Sequence, residues 1–356
     1  MIQTFSSTIR RKEMDAVLTC MVDEKLGPGE LNAKLIQSVK EFTGCDGAVA
    51  FRSPAIAFSY VLKALDMSPE SSVMISALAP SWQYTAIKNL GYTPLVLDVR
   101  EEDGLVSPEA VQEGIKNGGR ILLLHETMGI LPKIEEILAL GIPVIEDISH
   151  SVGSVYTLSA SEENPSAKSE DLQKKAGMAG LYSILGLEEN DTITAGGGAV
   201  LIAPKRREWI VLKKFTDAAP ETDILPDMNS ALGFIQIKEF ARNEQARKAL
   251  FAIFQKSLMS GKNKTFARDS ENGSTVWSFP VVLSGSFKDA KQYASRKEIE
   301  IRPAYEKSVI AILEEMEQSN YIHAKSLLLR TVLFPLYPRL GSESATKIAK
   351  VLGTLP

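Results

Sequence analysis

The sequence is poor in cysteine, in long apolar runs and in clustered positive charge. Its 356 residues include two cysteines, Cys20 and Cys45, far apart in the chain. This pattern predicts neither a disulfide framework nor a metal site, and it favours a reducing compartment. No apolar run approaches the roughly 20 residues that a membrane-spanning helix needs. Residues 1–12 are polar and no apolar stretch follows them, which is unlike a signal peptide. We therefore expect a cytoplasmic protein without a membrane segment.

The charge balance excludes a further class of partner. Lysine and arginine together number 40, aspartate and glutamate number 44, and the net charge is −4. Because a nucleic-acid-binding protein needs a basic surface to neutralise phosphates, nucleic acid is not an expected partner. Hydrophobic residues make up 44% of the chain, which is typical of a globular protein. The length allows one large domain and one smaller domain.

Short apolar runs alternate with amphipathic stretches in the first two thirds of the chain, which predicts a large α/β domain over residues 1–225. Within it, residues 158–175 are rich in Ser, Glu and Lys, which indicates an exposed polar insertion. Residues 226–356 begin with a strongly helical stretch and then mix strand and helix patterns. We expect them to form a long helix and a small α+β domain.

Six short segments of the sequence resemble motifs of known proteins, and they occur in the same order. They are 123–129 (LLHETMG), 144–153 (VIEDISHSVG), 194–200 (TAGGGAV), 229–237 (NSALGFIQI), 301–305 (IRPAY) and 335–340 (PLYPRL). Together they resemble the DegT/DnrJ/StrS nucleotide-sugar aminotransferases, which use pyridoxal phosphate (PLP) and have the type I aminotransferase fold. The resemblance implies a mostly parallel mixed sheet flanked by helices, a smaller C-terminal α+β domain and a homodimer. It also implies a nucleotide-sugar or other small anionic ligand and a role in polysaccharide biosynthesis.

The lysine that binds PLP in this family is missing. In the family it follows a strand that matches residues 182–185 and precedes the glycine cluster. Counting from Ser183 places Glu188 at the lysine position, whereas counting back from the glycines places Asn190 there. No lysine occurs between Lys175 and Lys205. Because neither a carboxylate nor an amide forms an imine with an aldehyde, the usual transamination is not expected.

The resemblance places an acidic partner for the pyridine nitrogen of PLP at Asp147, at the end of a predicted buried strand. A buried carboxylate needs a partner, and a hydrogen bond to a neighbouring loop would also satisfy it. His150 follows three residues later. We expect it on the same face, either beside the cofactor or as a hydrogen-bonded core histidine.

The expected phosphate site is altered. The family uses Ser-Gly-Thr where a strand enters a helix, and the matching residues here are Ser53, Pro54 and Ala55. One N–H donor and one hydroxyl are therefore absent, although Ser followed by Pro is a favourable helix start. Ser183 matches a second phosphate-binding hydroxyl of the family.

Other positions of the cofactor shell have also changed. The aromatic residue that stacks on the pyridine ring matches Pro80, with Trp82 two residues further on. The asparagine that the partner subunit contributes matches roughly Leu225. These changes speak against PLP or its amine form, pyridoxamine phosphate (PMP), as a bound cofactor. At the substrate mouth, the resemblance places Arg302 and Tyr305, which could hold an anionic or sugar ligand or form a domain-interface ion pair.

These observations leave three functional hypotheses. The first is a non-catalytic binding or regulatory scaffold, and the second is an enzyme that uses PLP or PMP without a Schiff-base lysine, like the sugar 3-dehydratases of the family. Those enzymes carry a histidine in place of the lysine, which this chain does not. The third is an aminotransferase in which Lys174 or Lys175 takes the place of the missing lysine. Both lysines, however, precede the strand that leads into the site. We favour the first.

Overall fold

A computed structural model describes residues 1–158, 173–266 and 273–356. Its main sheet has seven strands in the order β1-β9-β8-β5-β4-β2-β3. Strand β9 runs antiparallel to both of its neighbours, β1 and β8, and the other pairs are parallel. The mostly parallel mixed sheet confirms the predicted fold class. The strands are β1 (Gly47–Phe51), β2 (Ser72–Ser76), β3 (Thr93–Leu97), β4 (Gly119–His125), β5 (Val144–Asp147), β8 (Tyr182–Gly186) and β9 (Ala199–Ala203).

Both faces of this sheet are buried. Ile121 and Leu123 of β4 pack into one apolar cluster, whereas Leu122 and Leu124 pack into another. A strand with apolar residues on both faces is typical of a sheet covered by helices on each side. The helices up to residue 238 are α1 (Arg11–Val22), α2 (Glu30–Thr43), α3 (Pro54–Ala64), α4 (Ser81–Asn89), α5 (Pro108–Lys116), α6 (Ile134–Leu138), α7 (Arg206–Thr216) and α8 (Asp227–Lys238), with a 3₁₀ turn at Thr127–Gly129.

The C-terminal part has its own apolar core around a three-stranded sheet of order β10-β12-β11. Phe254, Phe279 and Phe334 are fully buried in it. Its elements are α9 (Phe240–Leu258), β10 (Phe279–Val282), α10 (Phe287–Arg296), β11 (Arg302–Pro303), α11 (Val309–Ile312), α12 (Glu315–Gln318), α13 (Ile322–Arg330), β12 (Thr331–Phe334) and α14 (Ser342–Leu352). Within the described residues, none of the helices is both long and apolar enough to cross a membrane.

One sequence prediction needs correction. Residues 173–175, the end of the predicted polar loop, form strand β7 (Gln173–Lys175), which pairs antiparallel with β6 (Val155–Thr157). The pairing explains the difference, because backbone hydrogen bonds to a neighbouring segment do not require apolar side chains. Residues 159–172 of the same prediction lie outside the described residues.

A buried carboxylate joins two distant helices. Asp227, the first residue of α8, accepts hydrogen bonds from the backbone N–H groups of Gly29, Leu31 and Asn32, at 2.8, 3.1 and 2.8 Å. These N–H groups lie at the N-terminus of α2, where a helix has donors without intrahelical partners. The negative charge also suits the positive end of the helix dipole. Asp227 therefore caps α2 from a position much later in the chain.

Candidate functional site

A cavity of about 380 Å³ lies beyond the carboxyl ends of β4 and β5. This edge of a parallel sheet is where α/β proteins place their ligands. Eight of the residues singled out in the sequence line the cavity, namely Pro54, Pro80, Trp82, His150, Glu188, Asn190, Arg302 and Tyr305. Asp147 lies at the carboxyl end of β5 and hydrogen-bonds His125, which also lines the cavity.

Asp147 is fully buried and surrounded by donors. Its Oδ2 accepts a hydrogen bond from Gln83 Nε2 at 2.8 Å and lies 3.0 Å from His125 Nδ1. Its Oδ1 accepts from the Ser149 hydroxyl at 2.5 Å and from the Ser149 N–H at 3.2 Å. Burial alone would raise the pKa of Asp147, but His125 and these hydrogen bonds outweigh it and lower that pKa. The carboxylate is thus satisfied by the protein itself.

Aromatic rings form part of the cavity wall. The ring of His150 stacks on Trp277, with centroids 3.7 Å apart and planes 14° apart. The rings of His125 and His150 meet edge to face, with their centroids 4.8 Å apart. Trp277 is further fixed by its Nε1–H, which donates to the Asn190 carbonyl at 2.7 Å. Trp82 lines the cavity from α4.

Sequence reasoning did not identify Trp277 or His125 as site residues. His125 stood within a recognised motif at the end of a predicted strand, which is a usable signal for a residue at this edge of the sheet. Trp277 lies in a predicted β run of the C-terminal region and had no comparable signal.

Both candidate replacements for the missing lysine face the cavity. Glu188 is exposed and Asn190 is partly buried in the segment between β8 and β9. The backbone N–H of Glu188 donates to Asp191 Oδ2 at 2.8 Å, which folds this segment into a turn. Among the described residues that line the cavity, Lys307 is the single lysine, and it comes from the segment between β11 and α11.

Asp191 has an unusual electrostatic environment. Although it keeps some accessible surface, burial raises the pKa of Asp191 to about 8, and the charges of Asp147 and Glu188 add to the increase. The N–H of Glu188 opposes the shift but does not cancel it. The protonated, neutral form of Asp191 is therefore favoured at neutral pH.

Replacing Asp191 with asparagine is expected to stabilise the protein increasingly as the pH rises from 4 to 8. The folded state holds a proton that the unfolded chain releases near the ordinary aspartate pKa of 3.8, so wild-type stability falls across this window. Discounting for partial exposure, we expect a gain of about 2 kcal/mol at about pH 9 and almost none at about pH 4. Urea unfolding of both proteins at the two pH values measures it, and a pH-independent difference would contradict it.

The two serines predicted for a phosphate site are used differently. The Ser53 Oγ accepts a hydrogen bond from the Ile56 N–H at 3.2 Å and so caps α3, with Pro54 as the first helical residue. The Ser183 hydroxyl is fully buried and donates to the Gly177 carbonyl at 2.9 Å. Neither serine is among the residues that line the cavity.

The glycine cluster fulfils a packing requirement. Gly198 has a φ of +112°, and a Cβ on it would lie 2.5 Å from Leu225 Cδ1 and 3.0 Å from the Phe51 carbonyl oxygen. Only glycine fits without displacing these atoms. The cluster therefore allows Leu225 to approach the junction of β1 and β9 closely.

Arg302 and Tyr305, which were predicted at the substrate mouth, differ in exposure and in contacts. Arg302 is exposed and forms an ion pair with Glu300, with Nη2 and Oε1 3.0 Å apart. Tyr305 is 3% exposed and packs in the apolar core, although it also lines the cavity. The sequence left open a domain-interface ion pair for Arg302, whereas this pair joins two neighbouring residues of the C-terminal part.

An acidic network lies behind the cavity wall. Buried Glu126 Oε1 accepts from the Tyr156 hydroxyl at 2.5 Å, and that hydroxyl also lies 3.3 Å from Glu146 Oε2. Glu146 accepts the N–H groups of three residues that precede β8: Gly177, Ala179 and Gly180. Burial, followed by the charge of Glu146, raises the pKa of Glu126 well above its usual range.

Comparison with known proteins gives a consistent result. Residues 7–353 match the DegT/DnrJ/EryC1/StrS aminotransferase family. The structure is similar to that of a Streptococcus pneumoniae protein named as a sugar aminotransferase, in its PLP form, with a TM-score of 0.85, 15% identity and coverage of 98% of this chain and 96% of the other. It is also similar to Helicobacter pylori PseC, an aminotransferase involved in the biosynthesis of pseudoaminic acid, with a TM-score of 0.81, 17% identity and coverage of 98% and 97%.

A third similar structure is a GDP-4-keto-6-deoxymannose-3-dehydratase with bound GDP-perosamine. Its TM-score is 0.83 at 15% identity, with coverage of 99% of this chain and all of the other. At these identities the structural likeness establishes the fold, whereas activity has to be argued from the residues of the site.

Proposed function

Because the chain belongs to the DegT/DnrJ/EryC1/StrS aminotransferase family, we propose that it is a member without transaminase activity that serves as a binding or regulatory scaffold. The observation that carries this proposal is the absence of lysine from residues 176–204, which include the whole segment between β8 and β9. A PLP-dependent transaminase needs a primary amine there to hold the aldehyde as an imine. The described part of the cavity offers one amine, on Lys307, and it enters from the C-terminal part.

The acid of the family motif supports the same proposal. In the family, the residue matching Asp147 pairs with the pyridine nitrogen of the cofactor. Here, Gln83, His125 and Ser149 together supply four hydrogen bonds to this carboxylate. Such a carboxylate is stable without a ligand, because its burial is already compensated. Retention of Asp147 is therefore explained by the fold itself.

The phosphate position also fits the cofactor poorly. A phosphate site at a helix start uses free backbone N–H groups and hydroxyls. Pro54 has no N–H, and the N–H of Ile56 already donates to the Ser53 oxygen instead of facing a phosphate. The Ser183 hydroxyl donates to Gly177. We infer that neither PLP nor PMP is held as a resident cofactor.

A second function has one observation in its favour. His125 and His150 both line the cavity and contact each other, and His125 is hydrogen-bonded to Asp147. A histidine oriented by a carboxylate is a competent general acid or base. This arrangement would suit a PLP- or PMP-dependent enzyme, of the aminotransferase or 3-dehydratase type, that acts on a nucleotide-linked sugar.

The expected homodimer and cytoplasmic location remain proposals, as does a role in polysaccharide biosynthesis. The dimer is supported by α1, which exposes a group of large apolar side chains that a monomer would leave in water. They are Met14, Leu18, Met21 and Val22. Exposed apolar groups of this kind are typical of protein interfaces.

Borohydride trapping tests the main proposal. The purified protein is incubated with PLP, reduced with borohydride and mapped by mass spectrometry, beside a Lys307→Met variant. We expect only the scattered, substoichiometric adducts that surface lysines give, and equal amounts in both proteins. A stoichiometric adduct at one lysine would overturn the proposal, and its loss in Lys307→Met would identify the cavity amine. PLP or PMP that binds at micromolar concentration and washes out would favour the second function.

A further inference from the structure

The cavity has an excess of negative charge. Among the described residues, four acidic ones line it, namely Glu188, Glu189, Asp191 and Glu306, and the lysine and arginine that line it are Lys307 and Arg302. Even with Asp191 protonated, three carboxylates remain. The Arg302 guanidinium is already paired with Glu300 at 3.0 Å, so its charge is largely compensated. A phosphorylated ligand would therefore meet net repulsion here. Because Glu188, Glu189 and Glu306 are exposed, water and salt weaken this repulsion without reversing its sign.

The walls of the same cavity are aromatic. Trp82 and the stacked pair of His150 and Trp277 line it. Phe5 approaches Trp277 with ring centroids 5.8 Å apart. The faces of such rings carry partial negative charge, so they attract an organic cation and also cover its apolar groups. Aromatic walls beneath carboxylates therefore select for positive charge.

A buried hydroxyl of the cavity wall lacks a hydrogen-bond partner. Thr127 is 1% exposed and lines the cavity, and its Oγ1 has no hydrogen-bond partner in the described parts of the chain. A buried hydroxyl without a partner costs free energy, and the great majority of such groups in folded proteins are satisfied. Its oxygen has almost no accessible surface, so a ligand in the cavity would satisfy it only after the Thr127 side chain rotates about χ1.

We propose that this cavity binds a small organic ammonium ion, such as a primary amine or a quaternary ammonium compound. The proposal rests on the proposed function, since it assigns a ligand to the cavity of a scaffold without PLP. The ammonium group lies between the aromatic walls and the carboxylates, and a polar group of the ligand hydrogen-bonds Thr127. A cavity of about 380 Å³ accommodates a compound of this size.

Titration calorimetry with choline and its uncharged isostere, 3,3-dimethyl-1-butanol, tests the charge preference. The two compounds have the same shape, so their difference isolates the positive charge. We expect choline to bind about tenfold more tightly, within the range of cation–π contributions. Inorganic phosphate should bind more weakly than either compound.

Two variants localise the effect. A Glu188→Gln, Glu189→Gln double variant should weaken choline binding several-fold and leave the isostere unchanged, because it removes charge and keeps shape. The matched control is Glu136→Gln, since Glu136 is an exposed glutamate of α6 that does not line the cavity. Equal losses in both variants would show that binding is non-specific.

Four further results would overturn the proposal: equal affinity for choline and its isostere, tighter binding of phosphate, tighter binding of a neutral hexose, or no binding of choline. None of them would restore a Schiff-base lysine, so the scaffold proposal would stand. Conversely, a stoichiometric borohydride-fixed adduct would remove the scaffold proposal whatever choline does. The choline and borohydride experiments therefore test the ligand proposal and the scaffold proposal independently.

Discussion

Replacing Asp147 with alanine is expected to lower the free energy of unfolding of the cofactor-free protein by about 4 kcal/mol. The change leaves His125, Gln83 and Ser149 with buried donors that have no acceptor. Each unpaired buried donor costs about 1–3 kcal/mol, and some of this is recovered by relaxation or entering water. Urea denaturation of the cofactor-free protein measures the loss.

Asparagine at the same position provides the control. Asp147→Asn keeps one acceptor oxygen and the shape of the side chain, so we expect about half of the loss. If Asp147 served only a cofactor, both variants would change the cofactor-free protein by less than about 1 kcal/mol. That outcome would contradict a structural role for this carboxylate. It would favour PLP as the ligand of the cavity.

Glu146→Ala is expected to be the most damaging single substitution considered, with a loss of about 5 kcal/mol. Glu146 is fully buried and accepts the N–H groups of Gly177, Ala179 and Gly180 at 2.9, 2.8 and 2.6 Å. Alanine would leave all three donors beside a void. Because they lie immediately before β8, the entry of the chain into the sheet would be disturbed. The measurement is equilibrium unfolding, or the soluble yield where the variant does not fold.

Glu126→Gln is the matched comparison for this network. Burial and the neighbouring charge of Glu146 raise the pKa of Glu126 well above its usual range, which favours the neutral carboxyl group. An amide has the same shape as that neutral group and replaces it closely. We expect a change below about 1 kcal/mol. A loss as large as that of Glu146→Ala would mean that Glu126, not Glu146, carries the structural negative charge.

Much of the large domain followed from local signals. The pairing of Ser53 with Pro54 predicted a helix start, and the hydrogen bond from Ile56 to the Ser53 oxygen confirms it. The short apolar runs predicted an α/β sheet, and strands β1 and β2 are such runs, because strands buried on both faces need continuous apolar sequence. Strand β7 was missed, since its polar residues are held by backbone pairing.

The site was less accessible to sequence reasoning. Trp277 reaches the cavity through the packing of the C-terminal part against the main sheet, and no local pattern encodes such a contact. Tyr305 was placed at a substrate mouth, yet its position in the apolar core depends on neighbours distant in sequence. The hydrogen bond from Gln83 to Asp147 could not be predicted from the sequence either, because α4 and β5 come together only in the folded chain. Motifs thus located the cavity, whereas its chemistry depended on tertiary contacts.

The cap that Asp227 places on α2 has a consequence for how the protein is made. The ribosome completes α2 long before it adds Asp227, which lies 195 positions after Asn32. Until then, the first N–H groups of α2 have no acceptor from α8. Strand β1 also remains without its partner β9 until residues 199–203 have been synthesised. Because a helix with an uncapped start is less stable, the N-terminal elements of a nascent chain gain their final stability only once α8 has been synthesised. A chain that ended between β9 and α8 would therefore have every strand of its main sheet and still lack the cap on α2.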